Sequence, residues 1–228
     1  MDDTGYYLDL EAFGLFKLKD SLVHGRLLPS QQILLEQIDE RFAVLEQLGF
    51  ENLEQLQKAL KNKKAVQSFA AESGIPADYL TVLRREVNSY QPKPIKLADF
   101  PGVDPVAVAK LNRLDIKNTK QLFSHILTPE DRRELADQNQ IDDEDILELT
   151  KLTDVARTKW VGSKFARLLV ESEYDTVEKV AGSDYEELYD ALVRVNDEKD
   201  LYQGKFGLDD MKAWVSMAVR EVPLVIRY

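Results

Sequence analysis

The chain has no cysteine in its 228 residues, so it forms no disulfide, carries no thiolate nucleophile and builds no zinc site on sulfur. Histidine is nearly as scarce. His24 and His125 are the only two, so a histidine-rich metal site or a histidine-centred triad has little to work with. Positive charge is short as well: 30 Lys and Arg face 41 Asp and Glu, a formal net charge of −11, which repels nucleic-acid phosphate at long range. No apolar run approaches the roughly 20 residues that a membrane-spanning helix needs, and the acidic start, Met1 to Thr4, lacks the regions of a signal peptide. The expectation is a cytoplasmic chain with no membrane partner and no cofactor. Apolar residues at 44% and charged residues at 31% make it an ordinary globular one.

What the chain does have is an internal repeat, the signature of an array of like units. Phe42–Leu56 superposes on Val108–Leu122 at a constant shift of 66, pairing Ala43 with Ala109, Leu45 with Leu111, Asn52 with Asn118 and Leu56 with Leu122. The shift still holds where Ala70 meets Ala136, Ile75 meets Ile141 and Leu83 meets Leu149. A third copy follows at a shift of 58, with Leu169 on Leu111, Tyr174 on Ile116 and Val180 on Leu122. It diverges afterwards through an insertion from Asn196 to Gly207.

Each unit reads as helices. Apolar residues recur at helical spacing in Ile38, Phe42, Leu45 and Leu48 and in Val108, Leu111 and Leu114. Gly49 or Asp115 stops the helix, and Asn52 and Asn118, each with Gln three residues on, start the next by capping its free amides. Thr128-Pro129 and Ser183-Asp184 are further starts of this kind. Asn88–Pro94 breaks helix and links the first two units. The expected division is an extension over 1–29, repeat one over 30–91, repeat two over 95–152 and repeat three over 153–228. Tyr6–Leu10 and Val222–Tyr228 are rich in β-formers, so the termini are expected to pair as a small two-stranded ribbon. The fold class is otherwise all-α, with tandem helix-hairpin-helix or SAM-like helical repeats.

Two segments carry a tight turn followed by a helix, the arrangement in which free amides meet a phosphate. One is Pro101-Gly102-Val103-Asp104-Pro105 and the other is Trp160-Val161-Gly162-Ser163-Lys164, aligned at the shift of 58. Here the chain resembles helix-hairpin-helix proteins, which grip DNA backbones without reading sequence. More closely, it is similar to the bacterial family of the domain of unknown function 4332, from Leu28 to Leu224, with Lys159–Lys179 the most specific block. The resemblance implies a repeat fold and a DNA or protein contact, with no established activity.

The residues depart from the DNA-binding pattern, which has glycine on both sides of an apolar residue. The middle hairpin keeps Gly102 but has Asp104 in the second place, and the last keeps Gly162 but has Trp160 in the first. Asp104-Pro105 makes a self-contained helix cap whose carboxylate opposes phosphate. The better phosphate candidate is Gly162-Ser163-Lys164 with Arg167, alongside Lys110; if that turn needs positive φ at Gly162, a β-branched residue there destabilises it. Lys58, Lys61, Lys63 and Lys64 read as solvated helix ends, Asp142–Asp145 as an acidic helix start favoured by the dipole, and Trp160 and Trp214 as core positions, with partial exposure of Trp160 at its hairpin the alternative. With no catalytic constellation, a non-catalytic binding or scaffold protein with an unknown protein partner is expected, and nucleic-acid backbone binding through the last hairpin is the alternative.

Overall fold

The caps place the helices. In a computed structural model that describes residues 5–25 and 27–228, with the side chains of Met217 and Ala218 left aside, Asn52 and Asn118 accept hydrogen bonds from the amides of Gln55 and Gln121. Thr128 and Asp131 form a capping box, and Asp184 rather than Ser183 caps its helix. The acidic start, Met1 to Thr4, lies outside the described residues. Among those described there is no β-strand, only isolated bridges of Gly14 with Asn52 and of Lys96 with Asn118.

The chain divides into two bodies. The first, Leu8–Gln91, holds α1 (Leu15–His24), a 3-10 turn (Pro29–Leu35), α2 (Ile38–Gln47), α3 (Leu53–Ala59), α4 (Lys63–Ser73) and α5 (Ala77–Ser89). The second, Pro92–Tyr228 with the stretch up to Tyr7, opens on a 3-10 turn (Leu97–Asp99) and α6 (Pro105–Arg113), α7 (Thr119–Phe123), α8 (Pro129–Asn139) and α9 (Asp143–Ala156). It continues with α10 (Ser163–Glu171), α11 (Val177–Gly182), α12 (Tyr185–Lys199), α13 (Leu208–Trp214) and a π-helical turn (Val215–Val219). The boundary falls inside the helix-breaking link, where Pro92 and Pro94 remove backbone donors.

The shift of 66 carries helix onto helix: α4 at Lys63–Ser73 lands on α8 at Pro129–Asn139, and the shift of 58 carries α6 onto α10. The stops coincide too. Gly49, Asp115 and Glu173 all adopt left-handed backbone, with φ of 85°, 62° and 67°. The next residue then sends its amide back to the carbonyl five positions earlier, Phe50 to Leu45, Ile116 to Leu111 and Tyr174 to Leu169. This is the six-to-one bond of a Schellman stop, which satisfies a carbonyl left over at the helix end and turns the following apolar side chain inward.

Each body has its own core. Leu8, Leu10, Phe13, Leu15, Leu18 and Leu22 join Phe42, Leu45 and Leu83 in the first, so most of the stretch read as an N-terminal extension is built into the core of that body. Successive turns of α1 bury leucine, and Phe13 and Leu10 lend their carbonyls to the amides of Leu53 and Glu54. In the second body the insertion also packs: Tyr202 and Phe206 set their rings 5.1 and 5.7 Å from Phe165, which also meets Trp214 at 5.8 Å.

The termini do meet, but not as a ribbon. Among the described residues no strand forms at either end. Instead the Arg157 guanidinium, 1% exposed, donates to the carbonyls of Gly5 at 3.0 Å and Pro223 at 2.7 Å. Its charge is balanced by Asp154, whose carboxylate accepts from Arg157 at 2.9 Å, from the Val177 amide at 3.0 Å and from the Tyr228 hydroxyl at 3.2 Å. Arg132 adds a second strap by donating to the carbonyls of Ile126 and Arg227. A ribbon needs backbone donors facing backbone acceptors; Pro223 has no N–H, and these carbonyls are taken by guanidinium groups. Arg157→Ala strips Asp154 of its buried counter-charge and is expected to cost about 3–5 kcal/mol, read as a fall in the midpoint of thermal or urea unfolding of the full chain.

Candidate functional site

The two hairpins share a backbone but differ at the helix start. Gly102 and Trp160 hold the same place at the shift of 58, and both are left-handed, with φ of 81° and 71°. Asp104 then caps α6, accepting from the amides of Val106 at 3.2 Å and Ala107 at 2.9 Å. At α10 the cap position is Gly162, which offers no side-chain acceptor. Its φ of −96° and ψ of 175° are extended backbone, and an added Cβ would meet nothing within 4 Å. The turn needs its positive φ at Trp160 and not at Gly162, so the condition for destabilisation by a β-branched residue at Gly162 is not met.

Other predicted site residues are scattered between solvent and interior. Lys164 is exposed and Ser163 half-buried, while Val161 is buried. Trp160 takes the exposed alternative, at 52%, and Lys159 sets its ammonium 4.3 Å from the ring centroid. Trp214 is core. Arg167 is 4% exposed and faces inward. It donates to the Pro101 carbonyl at 2.6 Å and to Glu148 at 2.6 Å, and Glu171 stands 3.4 Å away. Its guanidinium packs beneath Gly102, 3.6 Å from where a Cβ would sit. Arg167 therefore ties hairpin to hairpin and is not gathered with Lys164 for a ligand. Lys110 donates to the Gln140 carbonyl at the end of α8, and Val103 packs half-buried on the core.

Two depressions flank α6. The first, of about 410 Å³, is acidic, lined by Asp104, Lys110, Gln140, Ile141, Asp142 and Asp145. Burial raises the Asp145 carboxyl above its usual range, helped by the negative charges of Asp104, Asp142, Glu148 and Glu144. The second, of about 300 Å³, is mostly apolar, lined by Phe100, Val103, Pro105, Val108, Ala109 and Asn112. Sequence reasoning placed Asp142 and Asp145 only as a helix start, which they are. That they line a cleft with Asp104 depends on how the intervening chain brings the starts of α6 and α9 together, for which no local pattern exists. Among the described residues no group of three His, Asp or Glu side chains is placed to hold a metal ion, and no helix is long and apolar enough to cross a membrane.

Residues 101–220 match the family model of the domain of unknown function DUF4332. The chain belongs to the DUF4332 family. The DUF4332 segment starts at the first hairpin and runs through both hairpins, the acidic cleft and the insertion. Neither the curated proteins nor the solved structures compared with the chain include a match.

The DUF4332 hairpins yield two expected outcomes. A left-handed residue other than glycine costs about 1–2 kcal/mol, and a β-branched one is the worst case. Trp160→Val should therefore melt lower than Trp160→Gly by that amount, whereas Gly162→Ser, which supplies a cap, should leave the midpoint unchanged or raise it by a few tenths of a kcal/mol. Asp145 gives a pH test. Because its folded pKa is raised, its contribution is fully present below the unfolded value of about 3.9 and is lost as pH rises through the folded value. The melting midpoint of Asp145→Asn, relative to wild type, should accordingly climb between about pH 3.5 and pH 7.

Proposed function

We propose that the chain is a non-catalytic binding module whose helical hairpins engage another protein. The observation that carries this reading is Trp160. It is a large aromatic, half-exposed, held left-handed at a place where the sister hairpin uses glycine. A fold that accepts this cost for a solvent-facing side chain has a use for that side chain, since such outliers cluster at functional sites. Tryptophan is also enriched among the residues that dominate protein interfaces.

The cation inventory supports a protein partner over a phosphate backbone. Arg167 is neutralised by Glu148 and Glu171, Lys110 is engaged by Gln140, and Asp104 fills the helix start that a phosphate would need. The second reading, nucleic-acid backbone, draws on α10 alone, where an uncapped start stands beside exposed Lys164. Two or three amides and one lysine give weak binding in a chain of net charge −11.

The test uses the full chain as bait in a lysate of the source cell, in wild-type and Trp160→Gly forms. The glycine variant relieves backbone strain, so it stays folded while losing the anchor. Proteins retained by wild type and lost from the variant are the expected result; equal retention defeats the proposal. In parallel, a labelled short duplex that binds at near-physiological salt, and is released by Lys164→Ala, would install the nucleic-acid reading instead.

A further inference from the structure

The depressions beside α6 specify the chemistry of a partner. At 100° per residue, Asp104, Ala107 and Lys110 lie on one side of α6, and Pro105, Val108, Ala109 and Asn112 on the other. The acidic cleft and the apolar groove are therefore two flanks of one helix. Between them runs an exposed ridge on which Val106 is 58% exposed and Ala109 and Arg113 face solvent. The groove is built of apolar wall: Phe100, Val103, Pro105, Val108 and Ala109, with Asn112 at its end.

Charge decides the occupant. On the cleft side Asp104, Asp142 and Asp145 converge, with Glu144 and Glu148 close enough to act on Asp145. The one cation lining the cleft, Lys110, is held by the Gln140 carbonyl. A cationic side chain entering there gains several carboxylates at once, in a partly desolvated place where such contacts are stronger than on an open surface. An acidic segment or a phosphate backbone meets repulsion at the same spot.

We infer that α6 is a docking ridge for an extended segment of another protein, which seats an apolar side chain in the groove and a lysine or arginine in the acidic cleft. The diameter of a helix with its side chains, about 10–12 Å, corresponds to three or four residues of extended chain at about 3.3 Å each. The segment thus carries its apolar and basic residues three or four positions apart and crosses α6 over Val106. This assignment rests on the protein-partner reading, but it uses a surface that does not include Trp160.

The test is an NMR titration of the full 15N-labelled chain with ten-residue Gly/Ser peptides that carry one leucine and one arginine four positions apart. The leucine–arginine peptide should shift amides within Phe100–Asn112 and Gln140–Asp145, with an affinity at least tenfold above that of peptides with leucine replaced by serine or arginine replaced by glutamate. Ala109→Arg fills the groove from an exposed position, so it should abolish those shifts while leaving the rest of the spectrum in place. Shifts elsewhere, equal binding of the glutamate peptide, or no shifts at millimolar peptide would overturn the inference. If the peptides fail while capture from lysate still depends on Trp160, the docking ridge falls and the protein-binding reading stands. If both fail, the protein-binding reading falls with it.

Discussion

The path of the chain after α2, α6 and α10 depends on one way of ending a helix. The left-handed stop at Gly49, Asp115 and Glu173 sets the direction in which the next segment leaves and delivers Phe50, Ile116 and Tyr174 toward the interior. Only the first of these positions is glycine. Asp115 and Glu173 hold the same backbone at a cost that the six-to-one hydrogen bond and the burial of Ile116 offset. The geometry of the stop, rather than the residue that makes it, is what these three helix ends have in common.

The same distinction explains what could be read before the structure. Caps and stops are local: an asparagine and the amides three residues on are close whatever the rest of the chain does. Asn52, Asn118, Thr128 and the stops at Gly49 and Asp115 were therefore legible, and so were the helices between them. The core role of α1 was less so, because its leucines find partners only once the 3-10 turn and α2 have folded back on them. The termini were placed together correctly but joined by the wrong device, since β-forming composition says nothing of an arginine about 70 residues upstream of Pro223.

At the hairpins, a pattern of residue types located the turns and misassigned two roles. Arg167 was grouped with Gly162, Ser163 and Lys164 as the better phosphate candidate because it follows them in sequence. Its actual partners, the Pro101 carbonyl and Glu148, come from the neighbouring hairpin and helix. Gly162 looked like the residue the turn requires because it is a glycine, yet the turn places its left-handed residue two positions earlier and accepts a tryptophan there. The self-cap of Asp104 was legible, being local. The cleft that it forms with Asp142 and Asp145 was not, since it is made by two helices separated by about 40 residues of sequence.

The clasp at Arg157 also bears on the order in which the molecule is made. During synthesis α9 emerges with Asp154 and Arg157 as a pair, and the Gly5 carbonyl is already waiting; the Pro223 carbonyl lies 66 residues further on. Until that residue leaves the ribosome, one arm of the guanidinium has only water for a partner. The second body therefore reaches its final hydrogen bonding only when the tail arrives, and any pause in translation before Pro223 leaves a nearly complete fold with an open latch.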